Sequence, residues 1–140
     1  MTLLSLEVKG VDDIERVFTT MKKERTGAVL VIGGLAGNHG PRIAKVAVKN
    51  GLPTMWSSSN AVETGGLMSY GTNFADLYRR AATYVDKYSK APNPAHLPIE
   101  QPTKFEIIVN LKTAKQIGVT IPPNVLARAT RIIRIARKYG

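Results

Sequence analysis

The sequence predicts an α/β fold built on a mostly parallel sheet, and two observations carry that reading. Short β-prone apolar runs alternate along the chain with stretches of helical period, and glycine or proline marks most of the junctions. Strands alternating with helices of this length favour right-handed crossovers and parallel neighbours in a three-layer arrangement. Such a sheet places its ligand-facing loops beyond the carboxyl ends of the strands.

Each element has a local reason. Leu3–Val8 alternates around β-prone residues until Gly10 breaks it, and Asp12 or Asp13 then caps a helix whose apolar positions Ile14, Val17, Phe18 and Met21 share one face. Ala28–Ile32 is a continuous apolar run of the kind that is buried on both faces of a parallel sheet. The glycine-rich loop Gly33–Gly40 follows, and Pro41 opens a helix to about Asn50. Leu52–Trp56 is a third strand; its loop Ser57–Asn60 leads through a brief helical stretch to a fourth, Leu67–Tyr70. Asn73 is placed to cap a longer helix, with Phe74, Leu77, Ala81, Tyr84, Val85 and Tyr88 on one face. Ala91–Pro102 has four prolines and no apolar period, so it is an extended connector. Phe105–Val109 is a strand, Leu111–Ile117 a short helix ended by Gly118, and Pro122 or Pro123 opens a last helix with Val125, Leu126, Ala129, Ile132, Ile133 and Ala136 on one face.

Composition allows a folded core without naming a task. Apolar residues make up 44% of the 140 residues, enough for one globular domain. The absence of cysteine excludes a disulfide framework and a thiolate metal site. The longest near-apolar run, Ala28–Ala36, is far short of a membrane-spanning helix, and Met1–Val8 lacks the basic start and apolar core of a signal peptide. The formal charge is +10 from 20 Lys and Arg against 10 Asp and Glu. Arg128, Arg131, Arg134 and Arg137 form an i, i+3 stripe with Lys138 beside it. Such a stripe can bind phosphates, which makes a basic nucleic-acid-binding α/β domain the alternative reading; the plainer account is a solvated helix end whose dipole favours cations.

Chemistry-bearing residues are few. The loop Gly33–Gly40, with Gly34 and Asn38 as its candidate contacts, can present backbone N–H groups to an anion, yet it matches neither phosphate-binding glycine spacing and reads more readily as a flexible strand-to-helix turn. Trp56 with Ser57, Ser58, Ser59 and Asn60 sets an aromatic beside small polar side chains, a composition suited to a small solute with an apolar body and a polar head. The competing account has Trp56 packed beneath the loop and the serines in a solvated turn. Asn73 lies close enough in sequence to join this set or to serve only as a helix cap. His39 and His96 are far apart, no spacing points to a metal site or a cofactor, and no serine sits in a nucleophile elbow, so catalysis is not expected. A small nucleotide-binding enzyme remains a third, weaker reading.

Separate runs with a common order point further. Gly65–Gly71 (GGLMSYG), Tyr84–Lys87 (YVDK), Leu97–Phe105 (LPIEQPTKF), Asn110–Lys115 (NLKTAK) and Ile121–Pro123 (IPP) together resemble the C-terminal part of an ABC transporter substrate-binding protein of the type I, periplasmic-binding-protein-like kind. The resemblance implies two Rossmann-like lobes joined by hinge strands with a small solute, an amino acid or similar, held between them. It implies a partial domain over 1–140, with one lobe and the first strand and helix of the other absent and with Leu3–Val8 as that lobe's second strand. It further implies recognition by an ABC permease and a periplasmic location. The chain crosses between lobes near Gly65–Gly71 and again near Gln101–Phe105, so the helix beginning at Asn73 is expected to lack its partner and to self-associate or dock loosely.

Overall fold

The computed structural model describes residues 2–90 and 98–134. Its centre is a five-stranded sheet: β1 (Val29–Val31), β2 (Thr54–Trp56), β3 (Met68–Thr72), β4 (Phe105–Asn110) and β5 (Arg131–Ile133), in that spatial order. The first three strands are parallel, β4 is antiparallel to β3, and β5 is parallel to β4. The chain reverses direction between β3 and β4, after the long helix α4 (Phe74–Lys90) and the proline-rich connector.

Register sorts the two faces. Val31, Trp56, Ser69 and Ile108 stand in line across the sheet, and α1 (Asp13–Lys23), α2 (Leu35–Lys49) and α3 (Ser59–Glu63) cover that face. Ile14, Phe18, Ile43, Ala47, Val62 and Trp56 form its core, as the helical spacing of Ile14, Val17 and Phe18 anticipates. On the second face Ile107 and Val109 pack with Met68 beneath α5 (Leu111–Gln116) and α6 (Pro123–Arg128), where Ala114 and Ile121 are buried. The layers are therefore α/β/α, and Asn110 shows how tightly they join. Its carboxamide oxygen caps α5 by accepting the Thr113 N–H at 3.1 Å, while its nitrogen donates to the Val62 carbonyl at 3.0 Å.

The structure corrects five expectations. Leu3–Val8 belongs to no strand, because β1 has no hydrogen-bonded neighbour on its outer edge and a cavity separates the two segments. Ala28–Ile32 is not buried on both faces: Leu30 is 60% and Ile32 71% exposed on the second face, which no helix among the described residues covers there. Helix α2 starts at Leu35, six residues before Pro41, so most of the glycine-rich loop is its first turns. The reversal needs only Gly33, at φ +102°, and Gly34. Asp12 occupies the N-cap of α1 without a side-chain bond, and Asp13 instead accepts the Lys9 N–H at 3.0 Å. The last helix stops at Arg128, and Arg131–Ile133 is a strand, because the open edge of β4 pairs with it. This dissolves the arginine stripe: Arg131 leaves the helix and pairs with Glu63. Ala91–Leu97, His96, Ala136, Arg137 and Lys138 lie outside the described residues.

Candidate functional site

Two glycines let β3 and the turn before it lie against the end of β2. A Cβ on Gly71 would lie 2.2 Å from the Ser57 carbonyl oxygen, so only glycine lets β3 run against the start of the Ser57–Asn60 loop. A Cβ on Gly66 would lie 2.4 Å from the Trp56 indole nitrogen. Both glycines belong to the GGLMSYG run, whose composition is thereby explained at the level of packing.

Trp56 itself is in the core. Its side chain is 1% exposed, and Nε1 donates to Thr54 Oγ1 at 2.9 Å. The same hydroxyl accepts the Leu67 N–H at 3.1 Å, so Thr54 joins β2 to the entrance of β3. The expectation that the indole lines a ligand surface gives way to the packing account: one residue later the alternation of the strand turns the chain outward. Ser57 and Asn60 are exposed, and Ser58 and Ser59 half-buried. Ser58 holds the N-cap position of α3 in extended backbone, and its hydroxyl makes no capping bond. Gly34, exposed, precedes α2, and Asn38, also exposed, sits one turn inside that helix. Gly40 faces Ala61 and Trp56, which brings α2 against α3 and sets the β1–α2 and β2–α3 connections side by side.

Asn73 stands apart from this cluster in its bonding. Its oxygen accepts the Asp76 N–H at 2.8 Å as the cap of α4, and its nitrogen donates to Glu106 at 2.9 Å. Ser69, 1% exposed between Trp56 and Ile108, carries the orphan hydroxyl of the sheet: its Oγ has no partner.

A polar clasp that sequence spacing does not reveal fixes the return segment 98–104 to α4. Arg80 donates to Glu100 at 2.8 Å and to Thr103 at 2.9 Å, Lys87 reaches Glu100 at 3.5 Å, and the Tyr84 hydroxyl donates to the Pro98 carbonyl at 3.0 Å. Lys104 reaches Asp76 at 2.8 Å, with Arg79 at 3.2 Å. The Lys104 hydrogen bond, then the charges of Lys104, Arg79 and Arg80, hold the Asp76 carboxyl below its usual range. The Arg80 hydrogen bond, then Lys87, does the same for Glu100. Tyr70 and Phe105 stack nearby, with centroids 5.7 Å apart, where the two crossing strands lie together. The groups involved are separated by up to 28 residues, and the sequence offers little hint of them, Glu100 being the one carboxylate in the proline-rich connector.

Among the described residues no cluster of His, Asp or Glu has the makings of a metal site, and no helix is long and apolar enough to cross a membrane. The cluster is one of small polar groups beyond the carboxyl ends of parallel strands, with the chain leaving and re-entering the sheet beside it. That is the arrangement of a small-molecule-binding lobe in an open α/β fold.

The family model for the ABC transporter substrate binding protein matches residues 1–133, and the chain belongs to that family. Its members bind solutes for import rather than catalysing a reaction, and they work outside the cytoplasmic membrane. A structure from Streptococcus pneumoniae, in complex with L-Trp, is similar at 26% identity and TM-score 0.77, over 90% of this chain and 44% of that one. A conserved domain protein from Vibrio cholerae matches at 23% identity and TM-score 0.76, over 86% of this chain and 41% of that one. A ligand-free, open substrate binding protein with adhesive properties from Clostridium difficile matches at 19% identity and TM-score 0.66, over 91% of this chain and 43% of that one. The last two likenesses bear on the fold alone. No curated protein matches the sequence. The chain spans less than half the length of these solved chains, so it corresponds to part of a two-lobed architecture.

Proposed function

We propose that this chain forms one side of the solute site of an ABC uptake system, contributing Ser57, Ser58, Ser59 and Asn60, with Gly34 and Asn38 from the neighbouring connection, to a cleft that a second lobe closes. The observation that carries the reading is the uncommitted polar cluster at the end of β2: the Ser58 hydroxyl makes no cap bond, and Ser57 and Asn60 face solvent. Small hydroxyl and amide groups of this kind orient the polar head of a solute while apolar area from a second wall encloses its body. An amino acid or a solute of similar size fits that chemistry, and the L-Trp complex of the Streptococcus pneumoniae protein supports the class. Closure of the lobes then creates the form that a membrane permease recognises, which places the protein at the outer side of the cytoplasmic membrane. Trp56 lies directly beneath the cluster and reports on it, although its ring does not line it. Asn73 acts through the position of α4.

Half a cleft leaves most of a ligand in water, so the isolated chain binds amino acids no better than about millimolar. Titration with aliphatic and polar amino acids, followed by Trp56 fluorescence, measures this. Weak quenching lost in Ser58→Ala with Asn60→Ala is the expected result. A micromolar, saturable change that survives both substitutions would remove the cluster from the site.

A further inference from the structure

The end of the sheet opposite the Ser57–Asn60 loop gathers cations, and the topology puts them there. Strands β1, β2 and β3 are parallel, so the turns that feed them lie together. Lys22, Lys23 and Arg25 close α1 ahead of Val29, and Lys49 ends α2 ahead of Thr54 with Lys45 one turn back. Strand β4 runs the other way and sets Val109 beside Met68, so α5 starts at this same end, with Lys112 in its first turn and Lys115 in its last. Strand β5 follows β4, Ile133 beside Asn110, and brings Arg134 after it. All of these cations are exposed, and none has a carboxylate partner among the described residues. The described carboxylates at this end are Glu24 and Glu63, and Glu63 is engaged by Arg131. Asp13 and Glu15 instead begin α1 at the far end, and Asp76, Glu100 and Glu106 are bonded around α4 and the return segment.

Helix dipoles account for part of this. Lys22, Lys23, Lys49 and Lys115 lie in last turns, where a cation is favoured. Lys112 lies in a first turn, where the dipole opposes it, and Lys45 and Lys49 set like charges four residues apart on one helix. Arg25 goes furthest against local preference: at φ +53° it is the one non-glycine residue with a left-handed backbone among those described. It stands just past the cap of α1, a position that glycine ordinarily takes, where its N–H donates to the Lys22 carbonyl at 3.2 Å and the Thr26 N–H to the Met21 carbonyl at 2.9 Å. Local stability does not explain cations at these positions, whereas a ligand of opposite charge does.

We propose that this basic end docks on an anionic lipid bilayer, leaving the solute cluster at the opposite end of the sheet open. The chemistry favours a membrane over a nucleic acid. Most of these cations are lysines spread across one end of the molecule, and ammonium groups act as point charges suited to a diffuse negative surface, whereas bidentate phosphate recognition uses arginine. No exposed aromatic ring stands among them for a base to stack on: the large exposed aromatics of the described residues belong to β3, α4 and β4. Each cation held near an anionic surface strengthens binding about fivefold, so a set of this size is enough for docking at low ionic strength. The inference rests on the reading of the chain as part of an uptake receptor at the cytoplasmic membrane. Its residues are not those of the solute cluster, so lipid binding and amino-acid binding succeed or fail separately.

Co-sedimentation of the 140-residue chain with lipid vesicles is the test. Phosphatidylcholine vesicles containing about one-third phosphatidylglycerol capture the chain at low salt, vesicles of phosphatidylcholine alone do not, and roughly 0.5 M salt releases it. Lys22→Gln with Lys23→Gln, and separately Lys112→Gln with Lys115→Gln, each weaken capture by about tenfold or more. Lys9→Gln with Lys90→Gln removes the same charge away from this end and leaves capture within about twofold. Arg25→Gly separates function from packing: relief of the positive φ raises the unfolding midpoint while capture weakens about fivefold. In the isotope-labelled parent chain, nitroxide-bearing lipid headgroups broaden the amides of Gly27 and Gly51 and spare those of Ser57 and Asn60. Equal capture by both kinds of vesicle, equal weakening by the Lys9 and Lys90 pair, undiminished capture of Arg25→Gly, broadening at Ser57 and Asn60 instead, or tighter retention on duplex DNA than on the anionic vesicles at the same salt would each overturn the proposal.

Discussion

Gly71 is the residue whose identity the fold constrains most sharply. Any side chain there meets the Ser57 carbonyl oxygen at 2.2 Å, and that contact is backbone, which cannot rotate away. Gly71→Ala is expected to cost about 2–3 kcal/mol as an overpacking change and to displace the Ser57–Asn60 loop. Denaturant unfolding followed by Trp56 fluorescence measures the loss, and an unchanged midpoint would contradict the geometry. Thr54 is the complementary case, because a single buried hydroxyl accepts from both Trp56 and Leu67. Thr54→Val keeps the volume but leaves two buried donors unpaired, a loss of about 2–4 kcal/mol, whereas Thr54→Ser retains most of the stability. Equal midpoints for the valine and serine variants would show that the hydroxyl bridge contributes nothing. The sequence marks neither role directly: Gly71 is legible as strand punctuation and Thr54 as an ordinary β residue.

At the scale of elements, α4 and segment 98–104 behave as one piece held by carboxylate clasps. Asp76 and Glu100 both have pKa values lowered in the folded chain, first by the hydrogen bonds from Lys104 and Arg80 respectively. A lowered folded-state pKa gives stability that is fully present above the ordinary carboxylate range and lost as pH falls through the lowered value. Acid titration of the unfolding midpoint should therefore show a decline below that range, and Asp76→Asn should flatten it while lowering stability at neutral pH. Glu100→Gln produces a smaller, salt-sensitive effect, since that carboxylate is more exposed than Asp76. An acid limb identical in the parent and in Asp76→Asn would remove the clasp as its cause. Helix α4 was legible from its period and from Asn73 as its cap, which accepts the Asp76 N–H as expected. Its clasp was not, because the partners come together only when the connector folds back.

Among the described residues, the molecule carries an apolar side that nothing covers. Phe74 is 45%, Tyr78 73%, Val85 64% and Tyr88 56% exposed on α4, and Ile99 stands 96% exposed on the segment strapped to it. Monomers rarely leave so large a contiguous patch in water. The expected outcome is concentration-dependent self-association through α4, read by light scattering and reduced by Val85→Glu with Tyr88→Lys, both on the outer surface. A compact monomer at all concentrations, with Phe74 and Tyr84 well protected from exchange, would contradict this. High salt should strengthen the association, because each copy brings a charge of +10 and screening removes that repulsion.

Local pattern alone determined the α/β class, the sites of β1 to β4, helices α1, α4 and α5, and the polar loop after Trp56, since each depends on neighbours within a turn or a strand. The quoted motifs also carried the family, because their order and separation are properties of the chain itself. Tertiary structure decided what happens where an element needs a distant partner. Leu3–Val8 has the alternation of a strand, but a strand exists only when another offers it hydrogen bonds, and a cavity lies between this segment and the edge of β1. Arg131–Ile133 continues a helical period, yet β4 offers an unpaired edge, and the ladder there replaces the helix. Trp56 has the composition of a ligand contact, and its direction follows from which face of the sheet the core helices cover. In each case the deciding free energy is a long-range hydrogen bond or a buried surface, quantities that residue types and spacing do not contain.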